Sequence, residues 1–341
     1  MVKARKYVVK KNFVGDPKKD DFEIVEYELP PLEDRHILVK VEWISVDPYQ
    51  WAYTSKYKAP YDQFSYQVGI IQASKHKNFP VGTRVVSHHG WCDYCIMNPE
   101  VQVDGINFGV LDFGVYKLPD LQGLPASLGI GAVGMPGATA YFGLLEVCKP
   151  KAGETVVVTT AAGAVGSVAG QIAKIKGCKV IGFTGSDSKV QWLKKELGFE
   201  HAFNYKTVDV GKALREAAPN GIDCYFDSVG GELSYLIMQQ MNSYGRVAIC
   251  GSISSYSHSL AETNNSPTLQ PLIVLKQLKV EGFIVFRWME RWPEAFADLS
   301  KWIKSGQLKA GEHVTVGFEN VVDAFQGMLS GANCGKAVVK V

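Results

Sequence analysis

The chain has almost no excess charge of either sign. Over 341 residues, 36 lysines and arginines face 34 aspartates and glutamates, a formal net charge of +2. That leaves no electrostatic footprint for a nucleic acid. The chain also lacks a plausible membrane span. Its long uncharged stretch, residues 121–145, holds six glycines and two prolines, which would leave backbone groups unpaired in lipid. It reads instead as buried backbone between domains. An even cysteine framework is missing too. Cys92, Cys95, Cys148, Cys178, Cys224, Cys250 and Cys334 are scattered and odd in number, the pattern of reduced thiols in the cytoplasm. No second cysteine pair follows Cys92 and Cys95 to complete a structural zinc site. The N-terminal MVKARKYVVKK is basic but has no long apolar core, so an edge strand is expected there rather than a targeting peptide.

What is present is a large apolar fraction, 46%, in a chain long enough for two domains. The stretch that organises it is TVVVTTAAGAVGSVAGQIAKIKG, residues 155–177. A β-branched run enters a turn of small residues, and Val168, Ile172 and Ile175 then recur at helical spacing until Gly177. Strand, turn and helix make the first half of a dinucleotide-binding βαβ unit. Gly163 lets backbone approach a pyrophosphate, Gly166 lets helix and strand pack, and the helix N-terminus offers free N–H groups to the phosphates. Ala161 replaces the first glycine of the usual pattern.

Strands are expected at 179–183, 201–205, 222–227, 246–250 and 278–286, with helices between, such as one from the N-cap Ser186 carrying Val190, Leu193 and Leu197. With residues 155–160 these make six strands of a doubly wound parallel sheet. Residues 1–125 read as β-rich, with strands at 23–29, 36–44 and after Gly82. The tail returns to mixed strand and helix, so the expected domains are 1–125 with 309–341, and 126–308.

A site selective for NAD places Asp or Glu at the end of the second strand. Here that strand ends Gly182-Phe183-Thr184-Gly185-Ser186, and Asp187 stands beyond the turn, where it serves the helix N-terminus. Lys189 is placed to meet a 2′-phosphate, with Ser186 as a second donor, so NADPH is expected.

The segments 134–158, 161–182, 203–206 (FNYK) and 246–256 (RVAICGSISSY), with VDPY at 46–49 and GKAVVKV at 335–341, resemble the zinc-independent medium-chain dehydrogenase/reductases, and among them the prostaglandin reductases. The resemblance runs nearly end to end. It implies a β-rich GroES-like catalytic domain beside an α/β Rossmann domain, and NADPH reduction of the carbon–carbon double bond of enones and enals. It also implies nucleotide contacts at Gly163, Ala164, Val165 and Gly166; at Lys189, Tyr205 and Ser228; at Cys250, Gly251, Ser252, Ile253 and Tyr256; at Phe283, Ile284 and Val285; and at Asn333. A homodimer through the edge strand of residues 282–286 follows from it as well. The chain departs from the family at Ser228, where Asn is usual, and at Gln50-Trp51 after Tyr49.

Hydride addition to the β-carbon of an enone pushes charge onto the carbonyl oxygen, so a donor there stabilises the transition state. Tyr256 is the candidate donor and Tyr49 the runner-up, both lining the substrate pocket. The plainer reading is that Tyr256 only packs against cofactor. Asp47 stands where related zinc enzymes need a cysteine, and without zinc to polarise an alkoxide, double-bond reduction is favoured over alcohol oxidation. A quinone reductase, or an NADPH-binding protein without turnover, remains an alternative on the same scaffold.

Overall fold

The structure, a computed structural model, describes residues 2–101, 114–256 and 267–341. Met1, and the part of the β-rich reading that falls on residues 102–113, lie outside the described residues. The chain divides into two compact units, residues 1–131 with 312–341, and residues 132–311.

The first unit opens with strands β1 (Lys3–Val9), β2 (Phe22–Glu28) and β3 (Ile37–Ser45), then a single helical turn, α1 (Tyr49–Ala52). Strands β4 (Tyr61–Asp62), β5 (Gln67–Ser74), β6 (Arg84–Ser87), β7 (Tyr94–Met97) and β8 (Val115–Lys117) follow. β1 is not the edge strand expected from its charge. It pairs with β2 on one side and with β4 on the other, at Val8 and Val9. Both of its faces are covered: Tyr7 and Val9 are buried on one and Ala4 on the other, and Lys6 is only partly exposed.

The second unit begins with α2 (Met135–Phe142), within the glycine-rich stretch read as buried backbone, and its residues 136–142 are buried. It continues through β9 (Thr155–Val158), α3 (Ala164–Ile175), β10 (Lys179–Thr184), α4 (Asp187–Lys195) and β11 (His201–Asn204). Then come α5 (Val210–Ala217), β12 (Ile222–Asp227), α6 (Gly231–Met238), β13 (Met241–Ile249), α7 (Gln270–Lys276), β14 (Lys279–Gly282) and α8 (Trp292–Lys304). The sheet runs β11-β10-β9-β12-β13-β14, all parallel. That order, with the first strand central and reversal between β9 and β12, is the doubly wound dinucleotide-binding topology. β9 is buried at all four positions, as a central strand covered on both faces must be. The last strand is shorter than its apolar run suggested. β14 ends at Gly282, Phe283 turns inward against Phe226 and Trp288, and a helical turn begins at Val285.

The tail supplies β15 (Glu312–Val316), α9 (Val321–Leu329) and β16 (Lys336–Lys340), and β16 pairs antiparallel with β3 in the first unit. The core of that unit joins β1, β3 and β5 to Phe318, Val321 and Phe325 of the tail.

Candidate active site

The loops that follow the six parallel strands of the second unit leave their carboxyl ends, where open α/β sheets bind their ligands. The first joins β9 to α3. Thr160 there has φ 46°, a left-handed conformation that a β-branched residue rarely adopts and that clusters at functional sites. It lets Gly163 cap α3, with the Gly163 N–H donating to Thr160 O at 2.8 Å. A Cβ on Gly166 would meet the Thr160 carbonyl oxygen, and the Ala161 Cα at 3.0 Å. Gly166 therefore sets how closely helix and turn approach, and the N–H groups of Ala164, Val165 and Gly166 begin the helix.

The loops after β12 and β13 are laced together. Asp227 is 1% exposed; its Oδ1 accepts from the N–H groups of Val229 at 2.9 Å and Gly230 at 3.0 Å, and its Oδ2 accepts from Ser234 Oγ at 2.7 Å. Ser228 N–H donates to Thr159 Oγ1 at 3.0 Å, which ties this loop to the first. Cys250 N–H donates to Asp227 O at 2.7 Å, Ile253 N–H to Ser228 O at 3.2 Å, and Ser254 N–H to Val229 O at 3.1 Å. Burial pushes the Cys250 thiol up to about 12, partly offset by a hydrogen bond with Ser228. The Tyr256 hydroxyl accepts from Ser252 N–H at 3.4 Å, and burial raises the phenol above its ordinary 10. A Cβ on Gly251 would come within 3.0 Å of that hydroxyl, so Gly251 makes room for it. Phe283 continues from β14, its N–H on Ile249 O at 3.3 Å; Ile284 is 38% exposed and Val285 is buried.

At the end of β10, Ser186 caps α4, accepting from the Lys189 N–H. Asp187 does more than face the helix end, because its Oδ1 accepts from Asn204 Nδ2 at 2.9 Å. Gly185 faces Tyr205 and Lys206, whose Cε atoms and ring lie 3.5 Å from where a Cβ would stand. Lys206 was not picked out by its position, since only the β11 register brings it beside Gly185; the FNYK segment held the signal.

Tyr49 and Asn333 belong to the first unit. Tyr49 starts α1, stacks on Phe64 at 6.0 Å between centroids, and its hydroxyl lies 3.5 Å from His88 Nε2. His88 is buried against Tyr66, 4.7 Å between centroids; spacing along the chain gave no sign of this pairing. Asn333 Nδ2 donates to Gly335 O at 2.7 Å just before β16.

Two family models match the chain. One, described as zinc-binding dehydrogenase, covers residues 164–302; the other, N-terminal domain of oxidoreductase, covers residues 5–103. Prostaglandin reductase 1 of Bos taurus is 48% identical over 343 residues, covering 100% of both chains. The chain belongs to the prostaglandin reductase family. Within that family's wider group, the 2-alkenal reductase (NADP(+)-dependent) of Nicotiana tabacum is 38% identical, covering 99% of this chain and 98% of its own. The crystal structure of CurA from Vibrio vulnificus in complex with NADPH superposes with a TM-score of 0.89 at 35% identity, covering 99% of each chain.

The zinc in the first description has no evident counterpart among the described residues, where no group of three or more His, Cys, Asp or Glu side chains could hold a metal ion. Cys92 and Cys95 are instead buried against one amide, with Gln67 Nε2 on Cys95 Sγ at 3.1 Å and Cys92 Sγ on Gln67 Oε1 at 3.5 Å. Burial, together with the neighbouring Cys92, raises the Cys95 thiol well above its ordinary range.

Proposed function

We propose that this chain reduces the carbon–carbon double bond of enones and enals, such as 15-oxo-prostaglandins and 2-alkenals, using NADPH. The observation that carries this is full-length identity of 48% to a prostaglandin reductase 1. The strand-end loops described above and the NADPH-bound CurA relative support the cofactor. We read residues 132–311 as the nucleotide-binding domain and the other unit as the catalytic, GroES-like one. The turn at 163–166 is suited to the pyrophosphate, and Lys189, Tyr205 and Lys206 to the 2′-phosphate. The loops at 228 and 250–256, together with residues 283–285, suit the nicotinamide half, and Asn333 is a cofactor candidate of the first unit.

Bound NADPH supplies the hydride to the β-carbon. With a hydride added at the β-carbon, the C=C electron pair would move toward the carbonyl oxygen, and the resulting enolate would take a proton at the α-carbon from water, leaving NADP+ and the saturated carbonyl. Tyr256, a phenol that burial raises further above its ordinary 10, is the donor assigned to the developing oxyanion. Tyr49 is the candidate substrate-pocket residue of the first unit.

The same reading extends to quaternary structure and location. β14 is the outer strand of its sheet, and Ile284, Val274 and Leu275 are exposed beside it at 38%, 73% and 78%. β14 itself carries Lys279 and Glu281, so the apolar part of this edge is the flanking Ile284, Val274 and Leu275, and exposed apolar side chains of this kind suit a homodimer. No helix among the described residues is long and apolar enough to cross a membrane, and the free thiols suit the reducing cytoplasm.

The test is NADPH oxidation with a 2-alkenal, a 15-oxo-prostaglandin and a quinone, each with and without chelator. Chelator-insensitive turnover of the first two is expected. Turnover of the quinone alone, or NADPH binding with no turnover, would refute the reading.

A further inference from the structure

A buried cation stands beneath the turn that carries Tyr49. Lys336 opens β16 and is only 3% exposed. Its ammonium donates to Val46 O at 2.7 Å and to Ala337 O at 2.9 Å, and pairs with Asp47 Oδ1 at 3.0 Å. All three donors of the ammonium are therefore used. The second Asp47 oxygen accepts from Ser45 Oγ, and the Asp47 N–H donates to Gln50 Oε1 at 2.7 Å. Gln50 Nε2 in turn donates to Phe64 O at 2.9 Å, and the Phe64 ring stacks on Tyr49. The links from Lys336 to the Tyr49 ring are buried bonds and one ring contact.

Removing two charges from water is costly, and a pair of apolar side chains would join β16 to the turn at least as well. Net stability therefore does not account for the pair. Holding one conformation of the turn does, because the charge leaves Val46 O and the Asp47 carboxylate a single satisfied arrangement.

We propose that Lys336, through its ion pair with Asp47, is a positioning residue for the reduction: it sets the turn of residues 46–50 and thereby the Tyr49 phenol. This rests on the enone reductase reading above, with Tyr49 on the substrate side.

The test compares wild type with K336M, with D47N/K336M and with S45A. Each is measured for melting temperature, for NADPH Kd by nicotinamide fluorescence, and for kcat and KM with a 2-alkenal. K336M leaves a buried carboxylate unpaired and should melt lower, whereas D47N/K336M removes both charges and should recover most of the loss. Both should keep NADPH Kd within about threefold of wild type, yet lose about a hundredfold in kcat, the scale of a substrate misplaced by about 1 Å. S45A keeps the pair, removes one bond to Asp47, and should lose about fivefold in kcat with an unchanged fold.

A D47N/K336M protein with recovered melting temperature and wild-type kcat overturns the proposal, since the pair would then serve structure alone. Should that protein not fold, wild-type kcat in S45A overturns it instead. A wild-type enzyme that binds NADPH but does not turn over the alkenal removes the functional reading, and the positioning role falls with it.

Discussion

Gly166 and Gly170 lie one turn apart on α3, and neither has room for a methyl group, but for different reasons. A Cβ on Gly166 would strike the backbone of the phosphate turn: the Thr160 carbonyl oxygen, its carbon at 2.9 Å and the Ala161 Cα at 3.0 Å. A Cβ on Gly170 would strike the ring of Phe199. Overpacking a core costs about 1–3 kcal/mol, and the better helix propensity of alanine returns about 1. Both Gly→Ala variants should therefore lose up to about 2 kcal/mol, or roughly 4–8 °C in melting temperature at about 2–4 °C per kcal/mol. Their effect on NADPH should differ. For Gly166→Ala the helix end must move by about half an ångström to clear backbone that cannot rotate away. That misaligns N–H groups whose bonds to a phosphate are each worth about 1.5–3 kcal/mol, so NADPH Kd should rise about tenfold to a hundredfold. For Gly170→Ala the ring moves and Kd should stay within about threefold. Fluorescence titration and thermal melts of the two proteins decide it. Equal losses of affinity in both would refute the argument that Gly166 works through the turn.

Three further outcomes are expected. Tyr256→Phe should lower kcat for a 2-alkenal by about tenfold to a hundredfold, the worth of one hydrogen bond to a charged oxygen, with NADPH Kd retained; unchanged turnover would remove the donor role. Lys189→Ala should cut the preference for NADPH over NADH by about tenfold or more through the lost 2′-phosphate contact, measured as the ratio of the two kcat/KM values; a constant ratio would leave discrimination to Tyr205 and Lys206. Glu154 predicts a pH dependence of stability. Burial alone would raise its carboxyl, but hydrogen bonds from Arg246, one at 3.1 Å, and from the Lys151 N–H hold it below its ordinary 4.5. A depressed carboxyl contributes stability that is complete above pH 4.5 and is lost as the pH falls below it. Glu154→Gln should therefore melt lower at pH 7 and lose less on acidification from pH 5 to pH 3; parallel melting curves would contradict the pairing.

Much of the fold was legible because its signals are local. The β-branched run at 155–158, the helical spacing of Val168 and Ile172, the Ser186 cap and the helix at 321–329 each depend on neighbours within a turn or two. The strand at 278–286 was overread because its apolar run does not distinguish a strand from an inward-turned phenylalanine followed by a helical turn. β1 was misplaced because its charges do not report that Ala4 on one face and Tyr7 and Val9 on the other are buried. The identity of its partners is a property of the sheet.

The sequence by itself determined the doubly wound unit, the glycines of the turn between β9 and α3 and the carboxylate-free end of the second strand. All of these follow from periodicity and from residue types read in order. Only the tertiary structure decided which side chains share a site. Lys206 meets Gly185 through parallel pairing of β10 and β11, His88 reaches Tyr49 across 39 positions, and Lys336 reaches Val46 across 290. Contacts at that separation depend on how sheets close and how the tail returns, and no local pattern encodes them.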